Sequence, residues 1–300
     1  MGATVNVNGR VSDQEHAVIP VFDHGFLYGE GVYETLRTYN GQPFLFGRHM
    51  RRLRKSAEML ALEVPLDDAE IDARFRATMR TAGLGEGPGH EAYIRILVTR
   101  GVGDLSYDPA GCPAPSVVVI VKPHVDPPPE VFERGVTVAL VPIVRNHPAS
   151  VSPLIKSNNL LNNALAMQEA FRRHAFEGVM RNYRGELAEC TTSNLFVVKN
   201  GAALTPNVDS GLLPGITREY LFEVGEALGI PVREAVLRDE DLFGADEAFL
   251  TSTTREIAPI VQVDDTRIGS GVPGRVTRAL LDGFRQRAQA LTRTFEHVKR

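Results

Sequence analysis

Lys156 has the setting least suited to a surface lysine. Arginine supplies most of the positive charge in this 300-residue chain, and lysine occurs only at positions 55, 122, 156, 199 and 299. Lys55 lies in the basic run Arg51-Arg52-Leu53-Arg54-Lys55, Lys122 and Lys199 end apolar runs beside turns, and Lys299 is in the tail. Lys156 follows Pro153-Leu154-Ile155 and precedes a stretch rich in Leu, Ala and Asn, which places it at a junction into a helix, in apolar company. Loss of water favours the neutral amine over the ammonium. A neutral amine is the nucleophile that Schiff-base chemistry with a carbonyl requires. The plainer alternative is a lysine that snorkels from a buried segment or pairs with a carboxylate.

Other groups suit an anionic, ring-bearing ligand. Leu213-Pro214-Gly215-Ile216-Thr217-Arg218 reads as the start of a helix. Such a start offers unpaired N–H groups and the positive end of the dipole to a phosphate. Ser252-Thr253-Thr254 follows a short strand and offers hydroxyls and amides, although such turns usually only cap. Arg52, in His49-Met50-Arg51-Arg52-Leu53, is a candidate for the neutralising charge, with Arg51 as its decoy. Glu189 precedes the polar run Cys190-Thr191-Thr192-Ser193-Asn194. Drawn inward beside a pyridine nitrogen it would keep the ring protonated and electron-withdrawing. Its plainer reading is a turn glutamate like Glu186.

The elements that must hold these residues alternate between strand and helix patterns without a fixed repeat. Strands are expected at 4–8, 32–38, 43–46, 91–99, 116–121, 136–143 and 247–251. A hairpin turning at Asn200-Gly201 should join 195–199 to 202–204. Helices are expected at about 47–62, 67–82, 158–171 and 215–228, the last stopped by Gly229, and from about 276 onward. Four prolines between Pro123 and Pro129 suit an extended connection. The expected organisation is a small N-terminal α/β domain over 1–122, a linker over 123–133 and a larger domain over 134–300. The class is mixed α/β, or α+β.

The composition, 43% hydrophobic and 23% charged with a formal net charge of -4, is that of an ordinary globular protein and lacks the basic bias of a nucleic-acid binder. Cys112 and Cys190 are too few for a disulfide framework, which favours a reducing, cytoplasmic setting. No signal-peptide core, membrane span or myristoylation pattern is visible, so no membrane partner is expected. No His/Glu pair has helical ligand spacing, so no metal is expected. Gly25, Gly29 and Gly31 lack the strand and acidic residue of a dinucleotide loop.

Taken in order, six segments resemble the fold-type IV pyridoxal-phosphate family. They are Tyr28-Gly29-Glu30-Gly31-Val32-Tyr33-Glu34, His49-Met50-Arg51-Arg52-Leu53, Ile155-Lys156-Ser157, Glu189 with Ser193-Asn194-Leu195-Phe196, Leu213–Arg218, and Thr251-Ser252-Thr253-Thr254-Arg255-Glu256-Ile257. That family contains branched-chain aminotransferases, D-amino-acid aminotransferases and aminodeoxychorismate lyases. The resemblance implies pyridoxal 5'-phosphate (PLP) as cofactor, a C-terminal domain built on a pseudo-barrel, and a homodimer acting on amino acids and keto acids. It implies that Lys156 is the Schiff-base lysine and proton shuttle, and that Glu189 pairs with the pyridine nitrogen. Arg52, Ile216, Thr217 and Thr253 would bind phosphate, with Gly215, Ser252 and Asn194 in the same cofactor site and Leu213 against the ring.

Substrate choice is read from the pocket walls. Ala92-Tyr93-Ile94-Arg95 resembles the branched-chain aminotransferase strand, and period two puts Tyr93 and Arg95 on one face. Tyr28, Tyr33, Tyr93 and Arg95 are the expected walls, with Thr254 and Arg255 near the substrate carboxylate. The D-amino-acid enzymes carry an arginine and a histidine where this chain has Leu105 and Tyr107. The expected activity is therefore transfer from branched-chain or aliphatic L-amino acids to 2-oxoglutarate. Thr35, which stands where typical branched-chain enzymes have glycine, keeps D-amino-acid or (R)-amine transfer and aminodeoxychorismate lysis open as alternatives. Outside enzymology, the rival is a phosphate-binding module in which Lys156 merely neutralises its ligand.

Overall fold

The computed structural model describes residues 2–85 and 89–293, so Lys299 lies outside the described residues. Contacts divide the chain into two compact units. The first comprises Met1–Val125, Ile155–Asn159 and Arg287–Arg300, and the second Asp126–Leu154 and Leu160–Gln286.

In the first unit the elements are β1 (Thr4–Val7), β2 (Arg10–Asp13), α1 (His24–Leu27), β3 (Gly31–Tyr39), β4 (Gln42–Pro43), α2 (Phe46–Glu58), α3 (Asp68–Thr81), β5 (Ala92–Thr99) and β6 (Ser116–Pro123). The strands form an antiparallel sheet in the order β2-β1-β6-β5-β3-β4. Period two sorts β5 by face. Ala92, Ile94, Ile96 and Val98 are buried with Met50 and Leu53 of α2 and Phe75 of α3, while Tyr93 and Arg95 lie on the other face. Asp67 caps α3 in a reciprocal box with Glu70. The expected strand over 43–46 shrinks to Gln42–Pro43, because Leu45 takes a positive φ and the chain enters α2 at Phe46.

The second unit contains α4 (Pro129–Glu133), β7 (Val136–Leu140), α5 (Leu161–Arg172), β8 (Gly178–Arg181), β9 (Leu187–Cys190), β10 (Asn194–Lys199), β11 (Ala202–Pro206), α6 (Ile216–Leu228), β12 (Val232–Ala235), α7 (Asp239–Phe243), β13 (Glu247–Ser252), β14 (Glu256–Val263) and β15 (Thr266–Arg267); α8 (Arg275–Thr292) follows. Its sheet runs β12-β11-β10-β13-β14-β7-β8-β9, with β15 on β14, in mixed parallel and antiparallel pairing. Asn200 and Gly201 both take positive φ, the geometry of a tight hairpin turn, and β10 pairs antiparallel with β11 as the dipeptide predicts. Strand and helix side chains from Val136 to Ile268 make its main core. The helix expected from 158 begins at Leu161, because Asn158 N–H bonds back to Gly31 O. Among the described residues no helix is long and apolar enough to cross a membrane.

Candidate active site

Lys156 is fixed through its backbone. Its N–H donates to Ser56 Oγ of α2 (3.1 Å), and its carbonyl accepts from Tyr33 N of β3 (2.9 Å). Ser157 bridges to Val32, so residues 155–159 lie along the start of β3, and Ile155 packs on the core. Lys156 is half-buried, with Nζ 4.5 Å from the centre of the Tyr33 ring. The Arg95 guanidinium lies 4.0 Å from the centre of the same ring, so Tyr33 and Arg95 are brought together with Lys156. Tyr93 instead meets Lys122, whose Nζ is 4.9 Å from its ring. Tyr28 packs edge-on against buried His24 and lies 5.0 Å from the exposed ring of Tyr107.

Arg52 sits on α2 in a charge cluster whose other members were not assigned from sequence. Its Nε and Nη2 donate to the two oxygens of Glu34 (2.7 and 2.8 Å), and His49 Nδ1 lies 2.7 Å from Glu34 Oε2. Glu34 and His49 are buried. Burial works against the Glu34 carboxylate, but the charges and hydrogen bonds of Arg52 and His49 outweigh it and hold Glu34 well below the usual carboxylate range. Burial pushes His49 down despite Glu34, with the charges of Arg52 and Lys156 acting in the same direction. The cluster is therefore an ionised Glu34, a cationic Arg52 and a neutral His49 that donates from Nδ1. Glu34 ends the segment Tyr28–Glu34, and His49 begins the segment His49–Leu53. Acid and imidazole side chains at apolar-periodic positions were the available signal.

In the second unit Glu189 lies within β9, buried, rather than in a turn. Its Oε1 accepts from Arg145 Nε (2.6 Å) and its Oε2 from Leu213 N (3.1 Å) and Asn194 Nδ2 (3.5 Å). Asn194 also donates to Leu213 O (2.9 Å), which ties the strand to the segment leading into α6. Gly215 is the N-cap of α6, and no side chain caps the first turn that Ile216 and Thr217 begin. A Cβ at Gly215 would lie 2.0 Å from Asn194 Oδ1, so this close approach requires glycine. Arg145 was missed: nothing in Val144-Arg145-Asn146 marks it apart from the other arginines.

Ser252, Thr253 and Thr254 are half-buried in the turn from β13 to β14, and Ser252 Oγ accepts from Arg255 N (3.3 Å). The Arg255 guanidinium is engaged with buried Glu177 and with Thr192 Oγ1 (3.0 Å). Glu177 too was missed, although the hydroxyl run Thr191-Thr192-Ser193 signals the need for a shared acceptor.

Each unit by itself offers groups of the kind a phosphorylated pyridine aldehyde needs. In the second unit a helix start capped by Gly215 can take a phosphate and the buried Glu189 carboxylate a ring nitrogen, and in the first unit the anchored Lys156 can take an aldehyde carbon. Comparison with known proteins points the same way. Residues 31–263 match the model of the family described as amino-transferase class IV. A putative branched-chain-amino-acid aminotransferase from Methanocaldococcus jannaschii is 38% identical over 94% of this chain and 95% of its own length. A D-alanine aminotransferase from Listeria monocytogenes is 34% identical over 93% and 94%. The crystal structure of the Escherichia coli branched-chain amino acid aminotransferase superposes with a TM-score of 0.91 at 30% identity, covering 99% of this chain and 98% of that one.

Proposed function

The chain belongs to the class IV aminotransferases, and from that premise we propose that it moves amino groups from aliphatic L-amino acids to 2-oxoglutarate, with Lys156 as the residue that carries PLP. The observation that carries this reading is the setting of Lys156. Its backbone is bonded on both sides, to Ser56 and Tyr33, and its amine stands over an aromatic face.

When bound, PLP supplies an aldehyde for the amine and a protonated ring that stabilises negative charge at the substrate α-carbon. The chain's own groups do the rest. Glu189, backed by Arg145, holds the proton on the ring nitrogen. The amides of Ile216 and Thr217, the hydroxyls of Ser252 and Thr253, and Arg52 bind the phosphate. Gly215 lets Asn194 approach, Asn194 keeps Glu189 and Leu213 in register, and Leu213 packs on the ring. Lys156 Nζ would accept the proton from the amino acid's α-carbon and deliver it before the keto acid is released. Tyr28, Tyr33, Tyr93 and Arg95 line the substrate pocket, with Thr254 near the carboxylate.

An apolar pocket separates aliphatic side chains weakly, since one methylene is worth about 1–3 kcal/mol. Leucine, isoleucine and valine should all serve. Leu105 and Tyr107, where D-amino-acid enzymes carry charge, favour the L-series. A homodimer is supported by the exposed apolar side chains Val18, Val21, Phe22 and Phe26, and a cytoplasmic setting by the unpaired thiols of Cys112 and Cys190.

Borohydride reduction of the PLP-loaded protein should fix the cofactor on the peptide containing Lys156, and Lys156→Ala should abolish transamination. Label on another lysine would reject the assignment. A panel pairing 2-oxoglutarate with L-leucine, D-alanine and (R)-phenylethylamine decides the donor. Turnover confined to D-alanine or the amine would replace the L-amino-acid reading.

A further inference from the structure

Glu177 precedes β8, and its side chain is fully buried. Its carboxylate accepts from Thr191 Oγ1 (3.2 Å), Thr192 N (3.2 Å) and Ser193 Oγ (2.8 Å), and in short contacts from Thr192 Oγ1 and Arg255 Nη1. Arg255 adds a bond to Thr192 Oγ1 (3.0 Å), and its guanidinium lies 5.0 Å from the centre of the Phe176 ring. One carboxylate therefore gathers two turns. Thr191–Ser193 joins β9 to β10, and Ser252–Arg255 leads from β13 into β14. The turns lie at the same end of the sheet, where Asn194 of β10 pairs with Thr251 of β13. The first separates Glu189 from Asn194; the second contains Ser252 and Thr253.

We propose that Glu177 and Arg255 are a positioning pair for the cofactor-holding turns, and that Arg255 serves Glu177 rather than the substrate carboxylate. The inference rests on the cofactor roles proposed above for Glu189, Asn194, Ser252 and Thr253. Its physical ground is the charge of Glu177. Thr191, Thr192 and Ser193 give it hydroxyl and amide donors, but Arg255 is its ion-pair partner. A substrate carboxylate that drew Arg255 away would leave a buried anion without its counter-charge, which is costly. Hydroxyl rotors are also set by the acceptor they point at, so the Glu177 carboxylate fixes three successive side chains of the first turn.

The test uses the PLP-loaded protein and the variants Glu177→Gln, Arg255→Gln, Arg255→Lys and the double Glu177→Gln/Arg255→Gln. The readouts are PLP affinity by absorbance titration, and kcat and KM for L-leucine and 2-oxoglutarate. Each glutamine variant should weaken PLP binding about tenfold, and the double variant should be no worse than the weaker single, since the two residues act as a unit. Arg255→Lys should restore part of the affinity, and KM for the two carboxylate substrates should change little. Arg255→Gln that keeps PLP affinity but raises both KM values would make Arg255 a substrate ligand and overturn the proposal. Additive losses in the double variant would overturn it as well. A wild-type protein that takes up no PLP on Lys156 would remove the parent reading, and this one with it. Normal wild-type uptake, with variants that match it in affinity, would remove this inference alone.

Discussion

Arg145 Nε donates to Glu189 Oε1 across 2.6 Å, and both side chains are buried. A buried carboxylate needs a partner of this kind, because breaking a buried ion pair strands the remaining charge. Arg145→Met leaves Glu189 with only Leu213 N and Asn194 Nδ2. The expected loss is about 3–5 kcal/mol in urea unfolding of the cofactor-free protein. Adding Glu189→Gln to that variant should recover part of it, since no anion is then stranded. Equal stability of Arg145→Met and wild type would show that the pair contributes nothing.

Acid should destabilise the protein in two stages that trace to Glu34 and His49. His49 is held below its ordinary value in the folded state, so an unfolded chain takes up that proton first as pH falls below about 6.5. Stability contributed by the neutral, buried form is therefore lost on acidification through that range. Glu34 is also held low: its contribution is complete above the ordinary carboxylate value and is lost only as pH falls towards its much lower folded value. His49→Gln should flatten the difference in urea midpoint between pH 7.5 and pH 5.5, relative to wild type. An unchanged slope would mean that His49 is not the group responsible.

Much of this was legible in the sequence because it rests on local rules. The Asn200-Gly201 hairpin, the helix after Gly215 and the alternation in β5 follow from turn chemistry and periodicity. Lys156 stood out through the scarcity of lysine, and Gly215 through its place before a helix. Arg145, Glu177 and the pairing of Glu34 with Arg52 did not, because partners 44, 78 and 18 residues apart leave no local pattern. Arg255 was placed near the substrate carboxylate through the resemblance, and its ion-pair partner left no local pattern; only the fold brings Glu177 to it. The strand at 43–46 misread four apolar residues whose fate was decided by the positive φ of Leu45.

Gly215→Ala tests the phosphate site proposed at the start of α6. The added methyl carbon would lie 2.0 Å from Asn194 Oδ1, a distance no real contact adopts, so Asn194 or the start of α6 must move. Overpacking of this kind costs roughly 1–3 kcal/mol. Asn194 also bonds Leu213 O and Glu189, so the shift should reach the cofactor. PLP affinity is expected to fall about tenfold or more, equivalent to about 1.4 kcal/mol. An alanine variant that binds PLP as tightly as wild type would show that the start of α6 does not set the phosphate site.

Tyr33 separates the contribution of a ring face from that of a hydroxyl. Lys156 Nζ and the Arg95 guanidinium both lie within 4.5 Å of its centre, so the ring is a platform shared by the amine and the guanidinium. A cation over a ring face, as Arg95 is here, is worth about 0.5–1 kcal/mol at exposed sites and more when water is excluded. Tyr33→Leu removes both contacts and should lower stability by about 1 kcal/mol, with a fall in kcat as the Lys156 amine loses its seat. Tyr33→Phe keeps the ring and should retain stability and kcat, leaving KM to report whether the hydroxyl meets the substrate. If the phenylalanine variant loses kcat as severely as the leucine one, the hydroxyl rather than the ring face is what Lys156 depends on.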